Sequence, residues 1–295
     1  MSNKLEMWQV QQRQALPLEL KEAYTAKRIV SWYEHWQGDV YVSFSGGKDS
    51  TVLLDQVRKL YPDVPAVFVN TGQEYSEIIK FVKSIDNVIW VKPKFTFWEV
   101  VEKYGWPVVS KENSQKIYEA RNTKSAKLLH KRLHGDDNKY KSGKIPNKWQ
   151  YLIDAPFKIS HRCCHWLKIE PLKRYEKETK RKAYTGIMAV NSHARKQKYM
   201  RHGCNAFGGS KPQSMPMAFW TEEDIWDYIK QNKLPYSEIY DKGEENTGCK
   251  FCIYGVHLDE VNKFQRMKER MPGQYDLFIN KKGGGEVLDL IGIKY

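Results

Sequence analysis

A run of β-forming residues leads straight into Ser45-Gly46-Gly47-Lys48-Asp49-Ser50, which places two glycines, a cation, a carboxylate and hydroxyls in one short turn. Adjacent glycines let the backbone turn sharply, so that its N–H groups converge ahead of the following helix, where an anion is favoured. Lys48 adds a full positive charge, Ser45, Ser50 and Thr51 add hydroxyl donors, and Asp49 is suited to hold Mg²⁺ beside a polyphosphate. The candidate nucleotide site therefore covers Ser43, Ser45, Gly46, Gly47, Lys48, Asp49, Ser50 and Thr51. It lacks the four-residue spacer of G-x-x-x-x-G-K-[ST] and is a different phosphate loop. The competing reading is a turn that binds nothing, which leaves the lysine, the carboxylate and the clustered hydroxyls unexplained.

A second constellation is made of cysteines, at positions 163, 164, 204, 249 and 252. They are too few and too clustered for the disulfide framework of a secreted domain, and in a reducing compartment such clustering points to metal. Cys163-Cys164 and Cys249-x-x-Cys252 supply four soft sulfur donors in two close pairs, a set that suits zinc or an iron–sulfur cluster. Tetrahedral zinc sites normally space each pair by two to four residues, so the tandem pair leans towards iron and sulfide. Zinc and free buried thiols stay open as alternatives. Cys204, in His202-Gly203-Cys204-Asn205, matches neither pair and is read as inert, with a persulfide carrier or a redox partner as the alternatives.

The elements that must position these residues follow from the hydrophobic pattern. Asp39 to Phe44 has the β-branched and aromatic content of a buried strand, and Val52, Leu53, Val57 and Leu60 recur at helical spacing before Pro62-Asp63-Val64-Pro65 ends the run. Further strands are expected at 66–69, 87–91 and 183–188, and a helix at 221–231, where Thr221 and Asp224 resemble a helix-start signature. Alternating strands and helices give an α/β fold with a doubly wound, mostly parallel sheet. Residues 1–36 read as an amphipathic helical appendage, 37–240 as the nucleotide-binding domain, and 241–295 as an irregular segment carrying Cys249-x-x-Cys252.

The chain carries 49 Lys+Arg against 35 Asp+Glu, a net charge of +14 that favours polyanions such as nucleic acid or phosphorylated metabolites. Half of that excess lies in an insert at 111–148, where 11 basic residues face 4 acidic ones. Ala126-Lys127-Leu128-Leu129 predicts a helix there, and Gly135-Asp136-Asp137-Asn138 and Lys141-Ser142-Gly143-Lys144 predict loops. The insert is either a solvated basic face or a nucleic-acid contact. With no apolar signal core at the N-terminus and no membrane-length apolar run, the sequence reads as cytoplasmic, with no membrane partner.

The loop Ser45-Gly46-Gly47-Lys48-Asp49-Ser50 resembles the pyrophosphate loop of the ATP-pyrophosphatase superfamily. Three later segments resemble the phosphoadenylyl-sulfate (PAPS) reductase family within it: Asn70-Thr71-Gly72-Gln73-Glu74, Trp166-Leu167-Lys168-Ile169-Glu170-Pro171-Leu172, and Trp220-Thr221-Glu222-Glu223-Asp224-Ile225-Trp226. The resemblance spans roughly residues 38–255 in the family's order. It implies an adenine nucleotide alpha-hydrolase-like fold, a bound adenine nucleotide, and Thr71, Gly72 and Arg195 beside it, although Thr71 and Glu74 equally suit a capping box. His193 and the methionines are read as packing or surface.

The cysteines resemble those of adenylyl-sulfate reductases, which implies a [4Fe–4S] cluster on Cys163, Cys164, Cys249 and Cys252. The reductases attack sulfur with a cysteine in a C-terminal Glu-Cys-Gly segment, and no cysteine follows Cys252 here. The intact Gly46-Gly47-Lys48-Asp49 form resembles loops that cleave ATP between its α and β phosphates, with Lys48 and Asp49 as catalytic residues. The combination resembles the sulfur-inserting branch that includes tRNA thiolases and DNA phosphorothioation proteins. It implies ATP with Mg²⁺, a tRNA or DNA acceptor on the insert 111–148 and the patch Lys173-Arg174 to Lys180-Arg181-Lys182, and a sulfur donor protein. Sulfonucleotide reduction with a relocated thiol and a non-catalytic nucleotide or nucleic-acid-binding module remain the alternatives.

Overall fold

The computed structural model describes residues 4–136, 142–209 and 211–295. In chain order its main helices are α1 (Met7–Gln14), α2 (Leu18–His35), α3 (Lys48–Leu60), α4 (Ser76–Lys83), α5 (Phe97–Tyr104), α6 (Lys111–Asn122) and α7 (Ala126–His134). They continue with α8 (Glu170–Thr179), α9 (His193–His202), α10 (Glu222–Gln231), α11 (Lys263–Arg270), α12 (Pro272–Asp276) and α13 (Gly284–Leu290). The strands are β1 (Val40–Phe44), β2 (Ala66–Val69), β3 (Val88–Val91), β4 (Lys182–Thr185), β5 (Asn205–Ala206) and β6 (Gln213–Ser214). Among the described residues no helix is long and apolar enough to cross a membrane.

The chain divides into two compact units, each assembled from separated segments. The first comprises Met1–Asn70, Glu74–Lys92 and Pro171–Thr247, and holds the whole sheet. Its strand order is β3-β2-β1-β4-β6-β5, parallel throughout except that β5 runs antiparallel to β6. This is the expected α/β, mostly parallel, doubly wound sheet. The chain leaves β1 towards β2 on one side and returns to β4 on the other, so the sheet reverses direction at β1. Open α/β sheets hold ligands outside the carboxyl ends of their strands at such a reversal. The phosphate loop begins one residue past the end of β1.

The expected helix over 1–36 is two helices, α1 and α2, because Pro17 has no N–H to continue a helix and instead caps the start of α2. Val10, Ile29 and Trp32 are fully buried, and the buried Lys21 ammonium donates to both carboxylate oxygens of Asp224 at 2.7 and 2.6 Å. The Thr221–Asp224 signature is a complete capping box at the head of α10. The strand expected at 183–188 stops at Thr185, where Gly186 turns the chain. A Cβ on Gly186 would lie 3.2 Å from the Asp49 carbonyl oxygen, so this glycine lets two backbones approach behind the loop.

The second unit comprises Thr71–Gln73, Pro93–Glu170 and Gly248–Tyr295. Its core gathers Phe97, Val100 and Ile117 with Leu152, Phe251 and Phe278, the last stacked on Phe264 at 4.6 Å. Within the basic insert, the helix read at 126–129 is α7, preceded by α6. The α7 helix buries none of its residues, consistent with its charge. Of the loops expected at 135–138 and 141–144, residues 137, 138 and 141 lie outside the described residues, and 135–136 and 142–144 are turn or irregular structure as expected.

Candidate nucleotide loop and cysteine group

Within the first unit, β1 delivers the chain to Ser45, and Gly47 caps α3. Gly46 has φ +72°, and a Cβ there would lie 2.7 Å from Val82 Cγ2 and 2.9 Å from Ile78 Cγ2. Backbone and α4 side chains both demand glycine at this position. The Ser50 and Thr51 hydroxyls, expected as phosphate donors, instead donate to the Gly47 carbonyl at 2.9 and 3.1 Å. Buried there, they brace the loop against the head of α3. Ser45 stays exposed at the turn, and its Oγ accepts from the Gly47 N–H at 3.3 Å. Ser43 lies on β1 opposite Val67 and Thr185.

Lys48 is only 5% exposed, and its charge is held by several partners. Its Nζ lies 3.0 Å from Glu222 Oε1, 3.9 Å from Asp49 Oδ1, and donates to the Glu245 carbonyl at 3.2 Å. The Tyr240 and Trp226 rings lie 5.2 and 5.9 Å from it. Burial opposes the lysine's charge, but Asp49, Glu222 and Tyr240 together raise its pKa above the ordinary value. Burial likewise raises the Asp49 pKa, against the opposing pull of Lys48 and Arg195. Asp49 Oδ1 is buried with no hydrogen-bond donor among the described residues. A carboxylate oxygen that lacks a hydrogen-bond donor beside a phosphate loop would suit Mg²⁺ as a ligand.

The sequence did not single out Tyr240 or Thr247. The Tyr240 hydroxyl accepts from the Lys48 backbone N–H at 2.8 Å, one of the amides that an incoming phosphate would use. A Cβ on Gly47 would meet Thr247 Oγ1 at 2.6 Å. The segment 240–247 thus lies against the loop. Arg195 sits in the first turn of α9, and its charge and the Asn191 side chain both pull the Asp49 pKa down against burial. His193 is exposed at the start of α9.

Thr71 and Gly72 belong to the second unit. Thr71 and Glu74 do not cap a helix, because α4 begins later, at Ser76, and the Thr71 hydroxyl accepts from the Gln73 N–H at 3.1 Å. A hydroxyl that can close a local turn does not need a helix.

All four paired cysteines also lie in the second unit. Cys163 and Cys164 open a helical turn that widens into a π-helix at His165–Ile169, and Cys252 N–H donates to the Cys249 carbonyl at 3.1 Å across the other pair. Burial pushes the Cys163, Cys164 and Cys252 thiols up, and the neighbouring cysteines add to the effect. Cys163 feels all three of the others. Lys168 opposes the shift at each of these three, with Lys111 at Cys164 and Lys263 at Cys252. Among the described residues no three or more His, Cys, Asp or Glu side chains converge to hold a single metal ion. Cys163 feels the other three thiols and lysines act on three of the four, so by donor chemistry this set would suit an anionic multi-thiolate group such as an iron–sulfur cluster. Cys204 is buried in the first unit, and burial pushes its thiol up to about 11.

The family model described as phosphoadenosine phosphosulfate reductase domain matches residues 39–133 and 112–254. Two uncharacterized proteins of Methanocaldococcus jannaschii, MJ0973 and MJ0066, are 28% and 27% identical over 89% and 81% of this chain. The chain spans about half the length of these curated relatives, 53% and 41% respectively. An adenosine 5'-phosphosulfate reductase of Geobacillus sp. is 25% identical over 83% of this chain and 86% of its own length. The solved phosphoadenylyl-sulfate reductase of Candida auris aligns over 84% of this chain and 98% of its own, at 17% identity and a TM-score of 0.45.

Proposed function

This chain belongs to the phosphoadenosine phosphosulfate reductase family, and from that premise we propose that it cleaves ATP between the α and β phosphates to activate an acceptor for sulfur transfer. The observation that supports the reading is the loop at the sheet reversal, with Gly46 held left-handed, Lys48 buried and Asp49 Oδ1 buried beside the Lys48 ammonium with no hydrogen-bond donor among the described residues. The loop amides and Lys48 take the leaving pyrophosphate, Asp49 holds Mg²⁺, and Arg195 stands near enough to stabilise charge at the α-phosphate. An acceptor oxygen attacks the α-phosphorus and the bond to the bridging oxygen breaks. The products are adenylated acceptor and pyrophosphate. A sulfur nucleophile brought by a donor protein then displaces AMP from the acceptor.

Cys163, Cys164, Cys249 and Cys252 are the residues that would hold a [4Fe–4S] cluster, with zinc the lesser fit. Such a cluster supplies one-electron chemistry or an iron site for sulfur. The +14 charge, concentrated on the insert 111–148, suits a tRNA or DNA acceptor.

A second reading is favoured by the relatives named adenosine 5'-phosphosulfate reductase, and it makes the substrate a sulfonucleotide. Cys204 is a poor nucleophile for that reaction, being buried and protonated at neutral pH. Anaerobic incubation separates the two readings. Pyrophosphate and AMP from ATP, dependent on added tRNA or DNA and a sulfur donor, support the first. Thiol-dependent sulfite from adenylyl sulfate, with ATP left intact, supports the second and overturns the first.

A further inference from the structure

On the second unit, Gly105-Trp106 runs beside Lys158-Ile159. Trp106 N–H donates to the Lys158 carbonyl at 2.8 Å, and Ser160 N–H to the Trp106 carbonyl at 3.0 Å. Gly105, at φ +109°, makes the approach possible, since a Cβ would lie 2.4 Å from the Lys158 carbonyl carbon. The result is a rib whose exposed Lys158 side chain lines two hollows.

One hollow, about 260 Å³, is aromatic: Trp98, Trp106 and Phe157 line it, and the Lys282 ammonium lies 5.6 Å from the Trp98 ring. The other, about 340 Å³, is cationic, lined by Lys103, Arg121 and Lys158 with Tyr104 and Tyr118. Among the described residues, Glu102 is the one acidic residue lining either hollow. The Arg162 guanidinium lies 5.4 and 5.5 Å from the Tyr104 and Tyr118 rings, and Trp166 stacks on Tyr104 at 5.7 Å. Arg162 and Trp166 flank Cys163-Cys164 in the chain, so the wall of the cationic hollow continues into the cysteine segment.

Flat aromatic faces next to fixed cations are what a flexible polyanion with aromatic bases requires, because the faces stack bases and the cations neutralise phosphates. A smooth duplex keeps its bases stacked inside and cannot fill an aromatic hollow. We infer that these two hollows form a track for a single-stranded nucleic acid, one base lodged among Trp98, Trp106 and Phe157 and the adjoining phosphates drawn to Lys103, Lys158 and Lys282. The track rests on the proposed nucleic-acid acceptor and deepens it: it presents an unpaired nucleotide beside the cysteine pair.

Fluorescence anisotropy with single strands of roughly twelve nucleotides, in RNA and DNA arms, tests this. The wild-type chain binds a single strand about tenfold or more tightly than the matching duplex, and replacing the bases by abasic sites weakens binding by a similar factor. K158E/K282E, both surface substitutions, weakens binding about tenfold or more and lowers the slope of log affinity against log salt by about 1.4, the value for two lost single-strand phosphate contacts. Its melting temperature stays within a few degrees of wild type, which excludes unfolding as the cause. Strand binding that survives K158E/K282E with an unchanged slope overturns the track but leaves the nucleic-acid acceptor standing. A wild-type chain that binds no strand overturns both, and equal affinity for duplex and abasic strands overturns the base-stacking role.

Discussion

Replacing Tyr240 by phenylalanine should make the protein less stable and its nucleotide binding tighter. In the free chain the Tyr240 hydroxyl accepts from the Lys48 backbone N–H at 2.8 Å. A phosphate that takes that amide must first displace the hydroxyl. Phenylalanine keeps the ring near the Lys48 ammonium but leaves the N–H without its acceptor, at a cost of about 1 kcal/mol to the fold. For a unit of this size the melting temperature should fall by about 3 °C. The same amount returns on binding, because the phosphate now satisfies a bare donor instead of replacing an existing bond, so the dissociation constant for Mg²⁺·ATP should fall about fivefold. Titration calorimetry and a thermal melt on the same preparation read both numbers. Weaker ATP binding by Tyr240→Phe would refute the reasoning, since it would make the hydroxyl a ligand of the nucleotide instead of its competitor.

Gly46→Ala forces a side chain into the left-handed region and against Val82 and Ile78, so the loop should lose about 1–3 kcal/mol and ATP binding should fall tenfold or more, read by calorimetry. Lys21→Ala leaves the Asp224 carboxylate without its ammonium partner and should cost about 3–5 kcal/mol in urea unfolding, with Lys21→Ala/Asp224→Asn recovering part of it. The raised Asp49 pKa means that this carboxylate gains its proton at a higher pH than an ordinary aspartate, so Mg²⁺-dependent ATP binding should weaken on acidification before the usual carboxylate range is reached. Asp49→Asn should bind weakly with no such dependence. The linked effect on the nucleotide-free fold has the opposite sense: stability from the retained proton is full below the unfolded pKa and is lost as pH rises through the raised folded pKa.

The sheet and its loop were legible because each depends on local pattern. A β-branched run, a glycine pair and a helix-period stretch follow one another within residues 39–60, and they fold as β1, the loop and α3. The Thr221–Asp224 box was legible for the same reason, since its two hydrogen bonds lie within one helical turn. Thr71 and Glu74 carry an equivalent pattern, yet the local turn to Gln73 captures the hydroxyl and α4 starts two residues after Glu74. Local chemistry offers two outcomes there, and packing selects one. Tyr240 and Thr247 were invisible because they reach the loop from almost two hundred residues along the chain, with no periodicity tying them to it. The interleaving of the two units is equally non-local, with Thr71–Gln73 joining a body whose other segments begin at Pro93 and Gly248. The Ser50 and Thr51 hydroxyls show the limit of composition: residue type placed donors at the loop, but geometry turned them inward to brace it.

The central claim is that the loop from Ser45 to Ser50 holds a pyrophosphate, and the ratio of ATP to AMP affinity in the presence of Mg²⁺ measures it most directly. If the loop amides and Lys48 carry the β and γ phosphates, ATP binds at least about tenfold more tightly than AMP, and Lys48→Ala erases most of that difference while leaving AMP affinity near its wild-type value. Equal affinities for ATP and AMP in the wild-type chain, or a preference for ATP that survives Lys48→Ala, would contradict it.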